Sequence, residues 1–93
     1  MTWTIQWTNE ARKQLRSLDK PLQREILHYM RERIGNTARP HDFGKPLQHE
    51  KYGLWRYRVR DARIICQIVE KDQTVKVAWV GHRKNVYLKN LNQ

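Results

Sequence analysis

Cysteine occurs once in the 93 residues, at Cys66, and serine once, at Ser17. A single thiol closes no internal disulfide and builds no thiolate zinc site, which suits a reducing cytoplasm. Ser17 falls inside a predicted helix, a poor setting for a hydrolase nucleophile. Acidic residues are also scarce, 9 against 19 lysines and arginines. Asp19, Asp42, Asp61 and Asp72 sit in turns or at a helix start, with no carboxylate and histidine spacing suited to a metal. No metal or other cofactor is expected. Phosphate-loop fingerprints, internal repeats, low-complexity tracts and linkers are missing as well. No segment approaches the ~20 apolar residues that span a bilayer, and residues 1–7 are polar and aromatic, so neither export nor membrane insertion is expected.

What is present is positive charge on a small scaffold. The chain has room for one domain, residues 1–93, with one modest core. Its formal charge of +10 favours polyanions such as RNA, DNA or an acidic protein. Four tryptophans and four tyrosines supply most of the large pieces for that core.

The hydrophobic pattern sets the order of elements. "TWTIQWT" alternates, with Trp3, Ile5 and Trp7 on one side, and reads as a strand buried on one face. Thr8 or Asn9 caps a predicted helix over "EARKQLRSL", whose stripe is Ala11, Leu15 and Leu18. Asp19 and Pro21 restart a second helix with Leu22, Ile26, Met30 and Ile34 on its buried face, and Gly35 and Asn36 stop it. The pair forms a predicted αα-hairpin with its apolar stripes on a sheet, leaving Arg12, Arg16, Arg24, Arg31 and Arg33 on a solvated side. "NTARPHDFGKPLQHEKYG" lacks periodicity and reads as a long loop or a pair of turns, a length more often functional than ornamental. Strands resume at "LWRYRV", "RIICQIV" and "TVKVAWVG", and the final residues can close as a short helix. The expected fold is α+β in the order β-α-α-β-β-β with that terminal helix, a small antiparallel sheet packed on the helical hairpin.

Arginines interrupt the second and third of these strands. Arg56 and Arg58 point away from Trp55, Tyr57 and Val59, about 6.7 Å apart at the strand rise. A tight turn at Arg60 and Asp61 pairs Val59 with Ala62 and sets Arg58 opposite Arg63, and a four-residue loop over 59–62 keeps that register. A three-residue loop would drive Arg63 into the core. Like charges in direct opposition destabilise a sheet, so stability alone does not account for them. Ile65 and Val69 on the same side suggest a partly walled groove rather than a wet, stem-covered surface. The last strand brings Gly81, His82 and Arg83 back toward Arg63. The loop length leaves open whether His82 or Arg83 faces the groove, and Gly81 is a candidate bulge.

Converging guanidinium groups with few acids suit RNA cleavage, because RNA supplies its own 2′-OH nucleophile and arginine binds two phosphate oxygens at once. Over nearly the whole chain, through "KPLQHEKYGLWRYRVRDARIICQI" and "VGHRKNVY", the sequence resembles the RelE family of toxins in the wider RelE/ParE superfamily of type II toxin–antitoxin systems. The resemblance implies a cytoplasmic, ribosome-dependent, metal-independent mRNA endoribonuclease that cuts in the ribosomal A site and is held by an acidic, RelB-like antitoxin. Carried over by position, it implies catalytic roles for Arg56, Arg58, Arg63, Arg83 and Tyr87. Arg63 and Arg83 fall on the scissile phosphate, Arg56 and Arg58 on transition-state charge, and Tyr87 on a base; a terminal hydrophobic anchor is the other reading of Tyr87. The first two positions are lysines in the best-studied member of the family and arginines here, which leaves the proton acceptor unnamed. Lys45, Lys51 and Lys84 read as electrostatic contacts to RNA, and His82 as an RNA contact or a general acid. The competing readings are a ParE-like toxin acting on DNA gyrase and a non-catalytic RNA-binding module.

Overall fold

The computed structural model describes residues 2–47 and 53–82, and the expected terminal helix lies outside them. Strand β1 (Thr4–Trp7) keeps the alternation read from its sequence, with Ile5 and Trp7 packed on the core and Thr4 and Gln6 exposed. Thr8 then caps α1 (Asn9–Arg16): its Oγ1 accepts from the Ala11 N–H at 3.1 Å, satisfying a donor that the first helical turn leaves unpaired. Ala11 and Leu15 are the buried residues of this helix.

Helix α2 (Lys20–His28) starts after Asp19 with Pro21 in its first turn, where the missing N–H costs no bond. It widens into a π-helical turn over Tyr29–Ile34 instead of remaining α-helical to its end. Spacing gives the reason. Leu22, Ile26, Met30 and Ile34 recur every four residues, a stripe that drifts about 40° per step around a helix of 3.6 residues per turn. The wider turn takes up that drift, and all four side chains are buried. Gly35 ends the element with φ −66, so it is not a left-handed cap. A Cβ at this position would sit 2.6 Å from the Arg31 carbonyl oxygen, and close packing is what calls for glycine.

The segment expected to be loop holds a 3-10 turn over Pro40–Phe43 and a two-residue strand, β2 (Lys45–Pro46). Strands β3 (Leu54–Val59), β4 (Ala62–Val69) and β5 (Thr74–His82) follow where the sequence placed them. The sheet order is β1-β5-β4-β3-β2. Its neighbours are antiparallel except β1, which runs parallel to β5 with Thr4 beside Thr74 and Trp7 beside Val77. Alternation along Thr4–Trp7 fixes the buried face and leaves the direction of the neighbour unspecified.

Both helices cover one face of the sheet. Leu15, Leu22, Ile26 and Met30 meet Tyr57, Ile64, Cys66, Val75 and Val77 there, forming the main core. A smaller cluster occupies the other face, where Leu47 and Ile65 are buried with Leu54 and Trp79 against them. No helix among the described residues is long and apolar enough to cross a membrane.

The two faces stay in phase through a bulge. Cys66 lies opposite Val77 but Ile65 lies opposite Trp79, so Ala78 is the extra residue, three positions before the glycine suspected from sequence. Helix α1 holds the irregularity: Gln14 Oε1 accepts from the Val80 N–H at 2.7 Å, and Thr8 Oγ1 donates to the Ala78 carbonyl at 3.3 Å. Backbone groups displaced by a bulge need such partners. Gln14→Ala leaves the Val80 N–H without its acceptor and should lower the unfolding free energy by about 1–2 kcal/mol. That loss would appear as a reduced urea midpoint, and an unchanged midpoint would contradict this role.

Burial pushes the Cys66 thiol and the Tyr57 phenol well above their ordinary ranges, and raises Tyr29 less strongly. In the native state these groups stay neutral while the unfolded chain begins to ionise at about pH 8.5 for cysteine and about pH 10 for tyrosine. Above those values the unfolded state binds fewer protons, so the stabilisation is complete below about pH 8 and declines as pH rises. Urea midpoints at pH 7.5 and pH 10 should therefore fall in that order, and Cys66→Ala should retain only the tyrosine part of the decline.

Candidate active site on the arginine face

Directly paired residues in a sheet share a face, so the register assigns the charges. Arg60 and Asp61 form the two-residue turn, Val59 pairs with Ala62, and Arg58 stands opposite Arg63, as the tight-turn reading required. Arg60 adopts φ 55, a left-handed conformation that costs a non-glycine residue about 1 kcal/mol. Its Nε lies 2.6 Å from Glu25 Oε1 on α2, an exposed contact in which that oxygen lacks the alignment of a hydrogen bond.

Rows of side chains then cross the face away from the helices. Nearest the turn lies Arg58, Arg63, Gly81. The next row is Lys45, Arg56, Ile65, Trp79, and beyond it Leu54, Gln67 and Lys76 are aligned. Cations thus cluster at one end, bounded by the apolar patch of Leu47, Leu54, Ile65 and Trp79. Ile65 flanks the charges as expected, whereas Val69, read together with it, lies at the far end of β4 opposite Thr74.

Arg63 has the most unusual environment. The residue is only 5% exposed, yet its Nε is buried with no hydrogen-bond partner among the described residues, and its Nη1 reaches the Ala62 carbonyl at 3.5 Å, the long limit of a bond. A buried guanidinium without a carboxylate is costly. Gly81, opposite, brings no side chain over it. Arg58 in the same row is exposed and Arg56 in the next is half-buried, so the face grades from a sunken charge to a solvated one.

Lys45, an expected electrostatic contact to RNA, falls in sequence within the segment that lacks periodicity. The structure aligns it with Arg56 on the same face, which no local sequence signal gave. Contacts behind it hold its segment in place. Gly44 packs so closely on β3 that a Cβ would lie 3.0 Å from both the Arg56 carbonyl oxygen and the Tyr57 ring. The Tyr57 hydroxyl donates to the Pro40 carbonyl at 2.8 Å. His41 stands edge-on to Trp55, with centroids 4.9 Å apart, and reaches Glu70 at 3.1 Å.

The bulge sets the side on which His82 lies. This histidine pairs with Ala62, whose side chain belongs to the helix-side core, so His82 shares that side and faces away from the arginines. Arg83, Lys84, Tyr87 and Lys51 lie outside the described residues. Among the described residues, no three His, Cys, Asp or Glu side chains gather closely enough to hold a metal ion. A groove of about 900 Å³ lies elsewhere, between α2 and the turn, lined by Arg24, Glu25, Tyr29, Phe43 and Arg60 among others. Its mixed charges and its place on the helix side of the sheet, where Val59 lines it, leave it outside the candidate site.

If Arg63 serves an anion rather than the fold, Arg63→Met should hold or raise the unfolding free energy, by about 1 kcal/mol or more, because an uncompensated charge leaves the interior. Chemical denaturation reads this directly. A loss of about 2 kcal/mol would show instead that the guanidinium supports the fold.

The model of the ParE toxin of type II toxin–antitoxin systems, parDE, matches residues 5–87. A curated relative, Toxin RelG of Mycobacterium tuberculosis, is 28% identical over 88 residues, covering 94% of this chain and 98% of the relative. Among solved structures, the toxin–antitoxin complex RelBE2 of the same organism aligns with a TM-score of 0.80 at 25% identity, over 89% of this chain and 100% of the matched one. The free Escherichia coli toxin RelE, as an arginine-to-alanine double mutant, gives a TM-score of 0.76 at 18% identity over 99% of this chain and 97% of its own, a likeness of fold. With the family model covering most of its length, this chain belongs to the type II toxin family that the model describes, within the RelE/ParE superfamily.

Proposed function

We propose that this toxin is a ribosome-dependent mRNA endoribonuclease of the RelE kind, acting in the cytoplasm as a single domain. The observation that carries the reading is Arg63, a buried cation whose Nε has no partner among the described residues, set among Arg58, Arg56 and Lys45 on one sheet face. A guanidinium held in a low-dielectric pocket attracts a phosphate more strongly than one in water, and its fork matches two phosphate oxygens.

The reaction follows from substrate chemistry. The 2′-OH of RNA attacks the adjacent phosphorus, negative charge grows on the non-bridging oxygens, and the bond to the 5′-oxygen breaks. Arg63 and Arg83 bind the scissile phosphate, Arg56 and Arg58 stabilise the added charge, and Tyr87 orients or stacks on a base. Lys51 and Lys84 add sequence-independent attraction to RNA. Nothing in this scheme requires a metal ion. Alignment of the attacking hydroxyl is left to the ribosome, so free RNA is a poor substrate.

The partner is a cognate acidic, RelB-like antitoxin. Support comes from the charge of +10, from the RelBE2 neighbour being a toxin–antitoxin complex, and from an apolar groove of about 480 Å³ lined by Trp3, Ile5, Trp7, Leu27 and Met30. Acidic side chains neutralise the arginine face while apolar ones fill this groove between helix and sheet.

Primer extension on translated mRNA tests the nuclease reading. Wild type should produce cuts at the A-site codon, Arg63→Ala should reduce them by on the order of 10²-fold, and Arg63→Lys should fail to restore them because an ammonium lacks the fork. Uncut mRNA together with inhibited gyrase supercoiling would favour the ParE-type activity instead. Full activity of Arg63→Lys would favour a simple RNA-binding module.

A further inference from the structure

The arginine face supplies charge in abundance, but its guanidinium groups are poor proton donors. Breaking the bond to the 5′-oxygen is easier when that oxygen is protonated as it leaves, since an alkoxide is a poor leaving group. Arginine holds its protons with a pKa above about 12. Register turns most other candidates among the described residues away. Tyr57 and Cys66 lie in the helix-side core, His82 pairs with Ala62 on that same side, and His41 packs on Trp55. Lys76 shares the arginine face but lies on β5 opposite Gln67, two strands and one row away from Arg56.

Lys45 is placed differently. It is exposed, lies directly across from Arg56, and is diagonal to Arg58 on the shared face. Residues in direct opposition have Cβ atoms about 5 Å apart, within reach of one phosphodiester. The segment that carries it is fixed by the close approach of Gly44 and the bond from Tyr57 to Pro40. A lysine side chain, unlike arginine, exchanges its proton readily enough to act as an acid in proteins.

We infer that Lys45 is the proton donor to the departing 5′-oxygen, an assignment that rests on the nuclease reading above. In this step a lone pair of the 2′-oxygen forms the new O–P bond and the 2′-proton passes to solvent water. The P–O5′ electron pair leaves with the 5′-oxygen, which takes a proton from the Lys45 ammonium. The products are a 2′,3′-cyclic phosphate and a 5′-hydroxyl, and the neutral amine regains its proton from solvent. Atoms and charge balance without a further reactant. Lys45 thereby supplies a proton that the arginines at positions 56 and 58 do not.

A sulfur substitution isolates this role. Translated mRNAs carrying either the natural 5′-oxygen or a bridging 5′-sulfur at the mapped cleavage site are cut by wild type, Lys45→Arg and Lys45→Ala. A thiolate departs without protonation, so both variants should be slower by on the order of 10²-fold on the oxygen linkage and close to wild type on the sulfur linkage. Equal slowing on both linkages would reduce Lys45 to a docking charge, and no slowing on either would remove it from the site. Both results overturn the inference while leaving the nuclease reading intact. Wild type that cuts neither substrate overturns the reading and the inference together. Because Lys45 is exposed on a short edge strand, unchanged urea midpoints in both variants verify that folding is not what was altered.

Discussion

The register of β3 against β4 decides which charges meet. With two residues in the turn, Arg58 opposes Arg63 and Arg56 opposes Ile65, while Tyr57 and Ile64 pair on the opposite face. A slip by one residue would send guanidinium groups into the helix-side core and tyrosine into water. The buried faces of Tyr57, Ile64 and Cys66 resist that slip with the hydrophobic energy of the main core. The cationic face therefore depends on the apolar one for its geometry, with an exposed contact between Arg60 and Glu25 joining the turn to α2.

This division explains how a small chain tolerates an arrangement that sheet energetics disfavours. Opposed like charges cost some tenths of a kcal/mol, and an unpaired buried guanidinium costs more. Both penalties fall on one face, at the end near the turn, while the helix side carries the packing that offsets them. The bulge at Ala78 belongs to the same design. By resetting the alternation it places Val80 in the core and Trp79 on the groove side, and Thr8 and Gln14 satisfy the backbone it disturbs. Helix α1 thus contributes to the arginine face without touching it.

Much of this was legible in the sequence because it depends on local periodicity. Alternation gave the strands, the breaks at Arg60 and Asp61 gave the hairpin, and together they put Arg56, Arg58 and Arg63 on one face. Features set by distant contacts were not legible. Parallel pairing of β1 with β5 joins residues about seventy apart in the chain. The bulge lies at Ala78, where α1 side chains reach it, whereas sequence pointed to Gly81, and this displacement puts Trp79 on the groove side and Val80 in the core. Strand β2 is only two residues long, too short for any period, so the alignment of Lys45 with Arg56 had no local signature. The π-helical turn did leave a trace in the strict four-residue spacing from Leu22 to Ile34, which an α-helix does not bury evenly. Arg83 and Tyr87, assigned from family resemblance, lie outside the described residues.

The central claim is that the sunken Arg63 is an anion site awaiting its phosphate. Its Nε–Hε resonance in a nitrogen-correlated NMR spectrum, followed while a short RNA with a 2′-deoxy block at the cleavage position is added, reports on that claim directly. The account predicts a downfield shift and slowed solvent exchange at Arg63, beyond the changes seen for exposed arginines such as Arg12 and Arg16. An Arg63 resonance that does not move while the exposed arginines respond would contradict it.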